Sequence, residues 1–349
     1  MGETLSNPAL SRAMLARQLL SKRAKISIED AVERIGGMQA QLARAPLVGL
    51  WTRLEKMKRD DLQRALDDRR VVRATLMRGT LHMVSASDYV AMRGTIQLAL
   101  DHAMRGILKE RLTEGDAKKV VVIARKFFET PKTMDELRDS GLFTGDIRAQ
   151  AYAARCLVPL VQLHDGSSRF VLAEKYLKKK IPTAIDKVEL VRRYLAAYGP
   201  ATIADAQVWS GIVDLKDAFA KLDLVTFGKY FDLAKAPRPG EDAPAPPRFL
   251  PEFDSVLLAH KDRRRVIADE HRKAVYLPGL RVAATILVDG VVAGTWSVKR
   301  DKKAATLAVT PFGKLARADK DALAEEAEAL VRFVEPDAKS FDVAFSLTR

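Results

Sequence analysis

The sequence has a single cysteine and no long apolar stretch, and both shortages limit the kinds of protein that it can encode. Cys156 cannot form an internal disulfide, which suits a reducing cytoplasm. Its neighbours are apolar, so we expect a buried and inert thiol. No apolar run approaches the roughly 20 residues that a membrane helix needs. The first residues, interrupted by Arg12 and Arg17, do not resemble a signal peptide. We therefore expect a cytoplasmic protein with no membrane partner.

The common signatures of catalysis are also absent. The sequence contains neither a phosphate-binding glycine loop nor the G-x-S-x-G motif of serine hydrolases. The five histidines match no metal-ligand spacing and lie far apart, at His82, His102, His164, His260 and His271. With one cysteine, this spacing predicts no metal site, and we expect no cofactor. Glu252 and Asp254 could form an acid–base pair, or Asp254 could cap or position the chain beside an apolar strand.

Positive charge is what the sequence has in excess. Lysine and arginine number 59 against 45 acidic residues, a net charge of +14. Such a charge attracts polyanions, although a basic protein need not bind nucleic acid. The arginines are scattered through helical segments, which predicts a broad basic face. The candidate DNA contacts are Arg73, Arg78, Arg263, Arg264, Arg300, Lys302 and Lys303. Those that lie in runs of basic residues could instead be charges exposed to solvent.

Three segments begin a helix in the same way. Ser27, Thr133 and Thr202 are each followed three residues later by a carboxylate, the capping-box pattern or its Asp variant. An amphipathic helix precedes each, predicted over residues 12–21, 117–128 and 188–197. After the second and third, another helix leads to a strand pair that turns at Gly166 or Gly228.

Three helices and a two-stranded ribbon make the winged-helix plan, so the repeats predict tandem winged-helix units. The first unit is longer, has extra helices and shows no obvious ribbon. We place the units at residues 1–115, 116–180 and 181–234. Five prolines then make residues 235–248 a linker.

The last part of the chain, residues 249–349, is rich in β-branched residues. Asp289-Gly290 predicts a tight hairpin, and Lys302-Lys303 marks a looser turn. A helix in "DKDALAEEAEALVRFV" and a last strand in "SFDVAFSL" follow. We expect an α+β protein in which a β-barrel-like domain or curled sheet follows three winged-helix units.

Gln39 and Gln41 follow the pair Gly36-Gly37, which disfavours a continuing helix. Residues at i and i+2 share one side of an extended chain. The two amides are therefore expected to point together from an accessible segment, although two surface glutamines beside a turn would look the same.

Four blocks give the sequence its resemblance to a known family. "LARQLL", "GMQAQLARAPLVGLWTRL", "VVRATLMRGTLHMVSASDY" and "FLPEFDSVLLAHKDRRRVI" resemble, in this order, the signature blocks of the AlkZ-like DNA glycosylases of bacteria. That family has three winged-helix units and a β-barrel. Its catalytic motif is Gln, an apolar residue, then Gln or Asp, which Gln39-Ala40-Gln41 fills. His82 falls in a signature block, which suits either a site neighbour or a core histidine.

The resemblance implies a monomeric, nucleoid-associated enzyme acting on double-stranded DNA. Its substrates would be purines alkylated at N7 or N3, including those in interstrand crosslinks. Such purines are cationic and leave readily, so two neutral amides that position a water would suffice. The alternatives are a winged-helix transcription regulator and a non-catalytic DNA-binding protein.

Overall fold

The computed structural model describes residues 4–346, which form a mixed α+β fold. Its first part contains a series of helices and the first three strands of a five-stranded sheet. In chain order these are α1 (Asn7–Arg17), α2 (Ile28–Arg34), β1 (Met38–Gln39), α3 (Arg44–Trp51), α4 (Arg59–Asp67), β2 (Val71–Thr75), β3 (Leu81–Ser85) and α5 (Ala86–Leu108).

Two groups of helices, each with a strand pair, follow α5. The first group is α6 (Glu114–Phe127), α7 (Met134–Arg138), α8 (Ile147–Leu157), β4 (Leu160–Gln162), β5 (Phe170–Leu172) and α9 (Ala173–Leu177). The second is α10 (Lys187–Tyr198), α11 (Ile203–Ser210), α12 (Lys216–Ala220), β6 (Leu224–Phe227) and β7 (Tyr230–Leu233). Both predicted ribbons are confirmed as antiparallel pairs.

The helix starts follow the predicted capping chemistry. The side chains of Ser27, Thr133 and Thr202 each accept a hydrogen bond from the backbone N–H three residues later. The carboxylates of Glu136 and Asp205 accept in turn from the backbone N–H of Thr133 and Thr202, which completes two capping boxes. These local signals therefore fix where α2, α7 and α11 begin.

The predicted first helix is displaced. Expected over residues 12–21, α1 instead spans Asn7–Arg17, because Ser6 caps it by accepting from the N–H of Ala9. It stops early because Leu19 has a φ of +58°, which an α-helix cannot contain.

The first part of the chain also contains a ribbon, although no ribbon was obvious in its sequence. Strands β2 and β3 are joined by five residues that include Arg78 and Gly79, both with positive φ. This connection lacks the short Asn-Gly type of turn that identifies hairpins. One pairing, Arg73 with Gln162, joins this ribbon to the next, giving the sheet order β1-β3-β2-β4-β5.

The segment after β7 is irregular as predicted, and β8 (Arg248–Leu250) begins at its end. The chain then forms α13 (Arg272–Val275), β9 (Tyr276–Leu277), β10 (Arg281–Val282), β11 (Thr285–Val288), β12 (Val291–Asp301), β13 (Ala304–Pro311), α14 (Arg317–Val334) and β14 (Ser340–Phe345). The predicted turns at Asp289-Gly290 and Lys302-Lys303 both join adjacent strands. Leu347, the end of the predicted last strand, lies outside the described residues.

The second sheet is open across residues 4–346, where the sequence predicted a barrel-like or curled sheet. Its order is β14-β13-β12-β11-β8, and the edge strands β8 and β14 do not pair with each other. The helix α14 connects β13 to β14, which allows these two strands to run parallel. Leu323, Leu330 and Val331 of this helix are buried in the core of the sheet.

Helix α1 connects distant parts of the fold. Arg17 makes a two-pronged ion pair with Asp232 of β7, with N–O distances of 2.7 and 2.8 Å and both side chains buried. On the same helix, Arg12 donates to the backbone oxygen of Asp289, and Ser11 donates to that of Gly290, each at 2.9 Å. The amino-terminal helix thus contacts both the third ribbon and the C-terminal sheet.

Candidate active site

The two glycines before Gln39 turn the chain from α2 into β1. Gly36 and Gly37 have φ values of +75° and +82°, in the left-handed region that favours glycine. A side chain on Gly37 would place its Cβ 2.9 Å from a methyl group of Val84. The turn places Gln39 opposite His82 on the neighbouring strand β3.

Gln39 is buried, which corrects the expectation that it is accessible. Its side chain is 7% exposed, because β1 lies against β3 and is not part of a free loop. Arg78 Nη2 donates to Gln39 Oε1 over 3.1 Å. A guanidinium only donates hydrogen bonds, so its partner has to be the amide oxygen. That oxygen keeps a second lone pair.

Arg78 lies in the β2–β3 connection with a φ of +56°. Its Nη1 donates to the backbone oxygen of Trp209 on α11, so its two terminal nitrogens connect Gln39 to another part of the fold. Burial lowers the pKa of Arg78 to about 10, which leaves it protonated at neutral pH. Within residues 4–346 it forms no ion pair with a carboxylate.

His82 is 1% exposed and contacts the same arginine. Its Nδ1 lies 3.0 Å from the backbone oxygen of Thr80, and its Nε2 lies 3.4 Å from Arg78 Nη2. Burial, and then the charge of Arg78, lowers the pKa of His82 to about 3. The ring is therefore neutral at pH 7, with the proton on Nδ1 facing the carbonyl and Nε2 accepting from Arg78.

Gln41 has a different environment. It is exposed in the bend before α3 and lines a cleft of about 630 Å³ together with Arg73, Gln162 and His164. Arg73 Nη2 donates to the oxygen of Ala40 over 2.6 Å and so holds the peptide between the two glutamines. Gln39 does not line this cleft.

A second, much smaller cavity adjoins Gln39. It has a volume of about 10 Å³, close to the minimum for one water molecule, and its lining includes Gln18, Gln39 and Glu252. Arg53 and Asp254 also line it and form a buried two-pronged ion pair, with both N–O distances 2.9 Å. Asp254 also accepts from the N–H of Val256, so the positioning alternative for this carboxylate is confirmed.

The remaining predicted DNA contacts lie in other parts of the fold. Arg263 stacks on Tyr276 with its guanidinium carbon 4.3 Å from the ring centre, and exposed Arg264 pairs with Asp262. Arg300 donates to the backbone oxygens of Lys302 and Asp337. Lys302 and Lys303 are exposed at the tip of the β12–β13 hairpin. Their roles in DNA binding stay predictions.

Two kinds of feature were not found in the described chain. Residues 4–346 contain no cluster of three or more His, Cys, Asp or Glu side chains that could hold a metal ion. No helix in the same range is both long and apolar enough to cross a membrane. The thiol of Cys156 is buried as predicted, and burial raises its pKa.

The sequence did not identify the partners of Gln39. Arg78 was singled out as a DNA contact, and its bond to the amide depends on a connection whose shape was not predicted. Gln18 was quoted only as part of a block. A signal was present, because Gln18 is an uncharged amide in the otherwise apolar stretch "LARQLL" and is fully buried.

The chain is similar to known proteins over most of its length. The family described as "DNA glycosylase AlkZ-like" matches residues 32–333. A Streptomyces sahachiroi protein named "Interstrand DNA cross-link repair glycosylase" is 24% identical over 351 residues, covering 91% of this chain and 94% of that protein. The solved structure of Streptomyces sahachiroi DNA glycosylase AlkZ has a TM-score of 0.80 at 22% identity and is similar in fold over 98% of this chain and 100% of that one. Because the family match spans most of the sequence, this chain belongs to the AlkZ-like DNA glycosylases, enzymes that hydrolyse N-glycosyl bonds, and the transcription-regulator alternative is set aside.

Proposed function

We propose that this glycosylase removes cationic purines, alkylated at N7 or N3, from double-stranded DNA. The observation that carries the proposal is the fixed amide of Gln39, whose oxygen is held by Arg78 beside a neutral histidine. The one hydrogen of the His82 ring faces the Thr80 carbonyl, so the ring has no proton to offer a leaving base. A site that orients a water but provides no general acid suits a leaving nucleobase that already carries a positive charge.

In the proposed mechanism, the free lone pair of Gln39 Oε1 accepts a hydrogen bond from the attacking water. The amide dipole then points its negative end at the oxocarbenium-like sugar of the transition state. We assign Gln41 to the same reaction from the opposite side of the Ala40 peptide, where its exposed amide can reach the DNA. Arg78 and Arg73 act as positioning residues, one on each side of that peptide.

Interstrand crosslinks are proposed as substrates because the Streptomyces relative is named for their repair. A base tied to both strands cannot rotate freely out of the duplex, which is how other glycosylases reach their target. The wide cleft beside Gln41, about 630 Å³, is compatible with a lesion that stays close to the DNA duplex.

We infer that the DNA is bound by three tandem winged-helix units at residues 1–115, 116–180 and 181–234. Residues 235–248 would link them to a C-terminal domain at 249–349, built on the open sheet from β8 to β14. The repeated capping boxes and the three ribbons support this division. We further propose a monomer that associates with the nucleoid through the predicted basic contacts, in keeping with its charge of +14.

The test is a set of duplexes, each with one defined lesion, incubated with excess enzyme and then heated in alkali to break abasic sites. Release of 7-methylguanine and 3-methyladenine is expected, and so is unhooking of an N7-linked crosslink. Uracil and hypoxanthine should persist, because a neutral base needs a proton donor or an anion clamp to leave. Uracil release at a rate comparable to that of 7-methylguanine would contradict the proposed mechanism.

A further inference from the structure

The small cavity beside Gln39 is lined by acceptor groups that have no use in the fold. One belongs to Gln18, which is completely buried at the end of α1. Its Nε2 donates to the backbone oxygens of Ile35 over 3.1 Å and Ala197 over 2.9 Å. Both amide hydrogens are thereby used, and Gln18 Oε1 remains buried without a partner among residues 4–346.

The second unused acceptor belongs to Glu252. Its Oε1 accepts from Arg44 Nη2 over 2.5 Å, whereas its Oε2 is buried without a hydrogen-bond partner in the described chain. The side chain as a whole is 18% exposed, so this carboxylate lies at the boundary between the cavity and the surface. An unpaired buried carboxylate oxygen is costly, and such groups are retained where they have a function.

The backbone around Glu252 is held firmly. Phe253 has a φ of +61°, a strained conformation for a non-glycine residue. Asp254 then pairs with buried Arg53 and caps the short helical turn that follows. The backbone that carries Glu252 is therefore restrained, and Glu252 lines the same cavity as Gln39.

We infer that Glu252 is the general base of the reaction and that it acts on a water molecule in this cavity. The inference rests on the proposed function. A water brings two hydrogens, and the cavity offers acceptors from Gln18, Gln39 and Glu252. The water oxygen bonds to C1′ of the sugar, and one of its protons passes to Glu252 Oε2. The bond from C1′ to the purine breaks, and its electron pair neutralises the cationic base. Glu252 then releases the proton to solvent.

Local charges favour this assignment. Among the charged groups around the cavity, Arg53 is paired with Asp254, and Arg44 with Glu252. Arg78, which holds Gln39, has no carboxylate partner in the described chain. Two neutral amides beside an uncompensated cation would provide little stabilisation for a sugar that becomes positive. Glu252 pairs with Arg44 through Oε1, whereas its Oε2 has no partner in the described chain and can stabilise the developing positive charge.

The experiment measures single-turnover release of 7-methylguanine from duplex DNA at saturating enzyme. Glu252→Gln keeps the shape of the side chain but removes the general base. We expect the single-turnover rate to fall by about 100-fold or more, with DNA affinity unchanged. Glu326→Gln is the matched control. Glu326 is similarly buried, at 14% exposed, and also pairs with an arginine, Arg23, but it does not line the cavity. This variant should keep its rate.

Chemical rescue separates a base from a structural carboxylate. Formate should accelerate Glu252→Ala, whereas chloride at the same ionic strength should not. If Glu252→Gln loses most of its rate but formate does not rescue Glu252→Ala, the general-base role is overturned. It is also overturned if the rate of Glu252→Gln stays within about three-fold of that of the unaltered protein, because a general base contributes far more than this. An unaltered protein that releases no 7-methylguanine overturns the proposed function and this inference together.

Discussion

The amide of Gln39 shows how a neutral side chain can be given a fixed direction. A glutamine at the surface samples several rotamers, and its dipole averages over them. Gln39 is restrained on one side by the pairing of β1 with β3 and on the other by Arg78. Preorganised dipoles are effective in catalysis because they need no reorientation when charge develops. Gln41 lacks such restraint within the described residues and would gain it from bound DNA.

Substitutions of the two glutamines should therefore separate catalysis from folding. Gln39→Ala and Gln41→Ala are each expected to lower excision by about 100-fold or more, the cost of removing one preorganised group. Gln39→Ala should also cost about 1 kcal/mol of stability, because it removes a hydrogen bond from Arg78. Gln41→Asp should retain part of the activity, since aspartate still accepts from water. Single-turnover assays and thermal unfolding measure these effects.

Gln97→Ala is the matched control for Gln39. The amide oxygen of Gln97 also accepts from an arginine, Arg93, over 2.8 Å, but on helix α5 and outside both cavities that the glutamines line. Because Gln97 Nε2 also donates to Asp101 Oδ1, this variant should lower stability by at least as much as Gln39→Ala without changing the rate. Full activity of a Gln39→Ala, Gln41→Ala double variant would remove both residues from the site.

At the level of elements, the β12–β13 hairpin is the clearest candidate for a probe of DNA. Lys302 and Lys303 are exposed at its tip, and Arg300 supports the turn by donating to the oxygen of Lys302. A Lys302→Ala, Lys303→Ala variant should bind duplex DNA more weakly. A plot of log affinity against log salt should become less steep by about two, close to one for each lost phosphate contact.

Removing the same charge elsewhere tests whether position matters. Lys118→Ala, Lys119→Ala takes two exposed lysines from helix α6, so both double variants lower the net charge equally. We expect a smaller change in the salt dependence for this pair. Equal effects of the two variants would mean that the total charge, and not the hairpin, determines affinity.

The elements that the sequence predicted well are those defined by neighbouring residues. Thr133 and Glu136 form a capping box within four residues, and Asp289-Gly290 forms its turn within two. The burial of Gln39 was not predictable in this way, because it depends on the pairing of β1 with a strand some forty residues later. The sheet between β8 and β14 was expected to curl or to close into a barrel, and its edge strands do not pair with each other in the described chain, so it is not a closed barrel.

For the whole molecule, two buried histidines should make stability depend on pH. The pKa of both His82 and His260 is lowered from 6.5 to about 3, mainly by burial. Below pH 6.5 the unfolded chain gains protons that the folded chain does not accept until about pH 3. The protein should therefore be most stable above pH 6.5, and its free energy of unfolding should fall as the pH drops, by about 1 kcal/mol per pH unit for each histidine.

Urea unfolding at pH 7.5, 6.0 and 5.0 measures this dependence. A His82→Asn variant should lose about half of the slope that the two histidines contribute. His102→Asn, which replaces an exposed histidine of α5, should keep the slope of the unaltered protein. Stability that is constant from pH 6.5 to 5.0 would mean that the two buried rings are protonated in the folded protein.

The contacts of helix α1 have a consequence for how the chain is made. The ribosome synthesises Arg12 and Arg17 early, yet Asp289 is 277 residues and Asp232 is 215 residues further along the chain. Until those partners emerge, Arg12 and Arg17 lack the ion pairs that they form in the folded protein, and contacts so distant in sequence form slowly. The nascent protein therefore cannot complete its amino-terminal part first. A helix that contacts both the third ribbon and the C-terminal sheet completes its native contacts only after Asp289 has been synthesised.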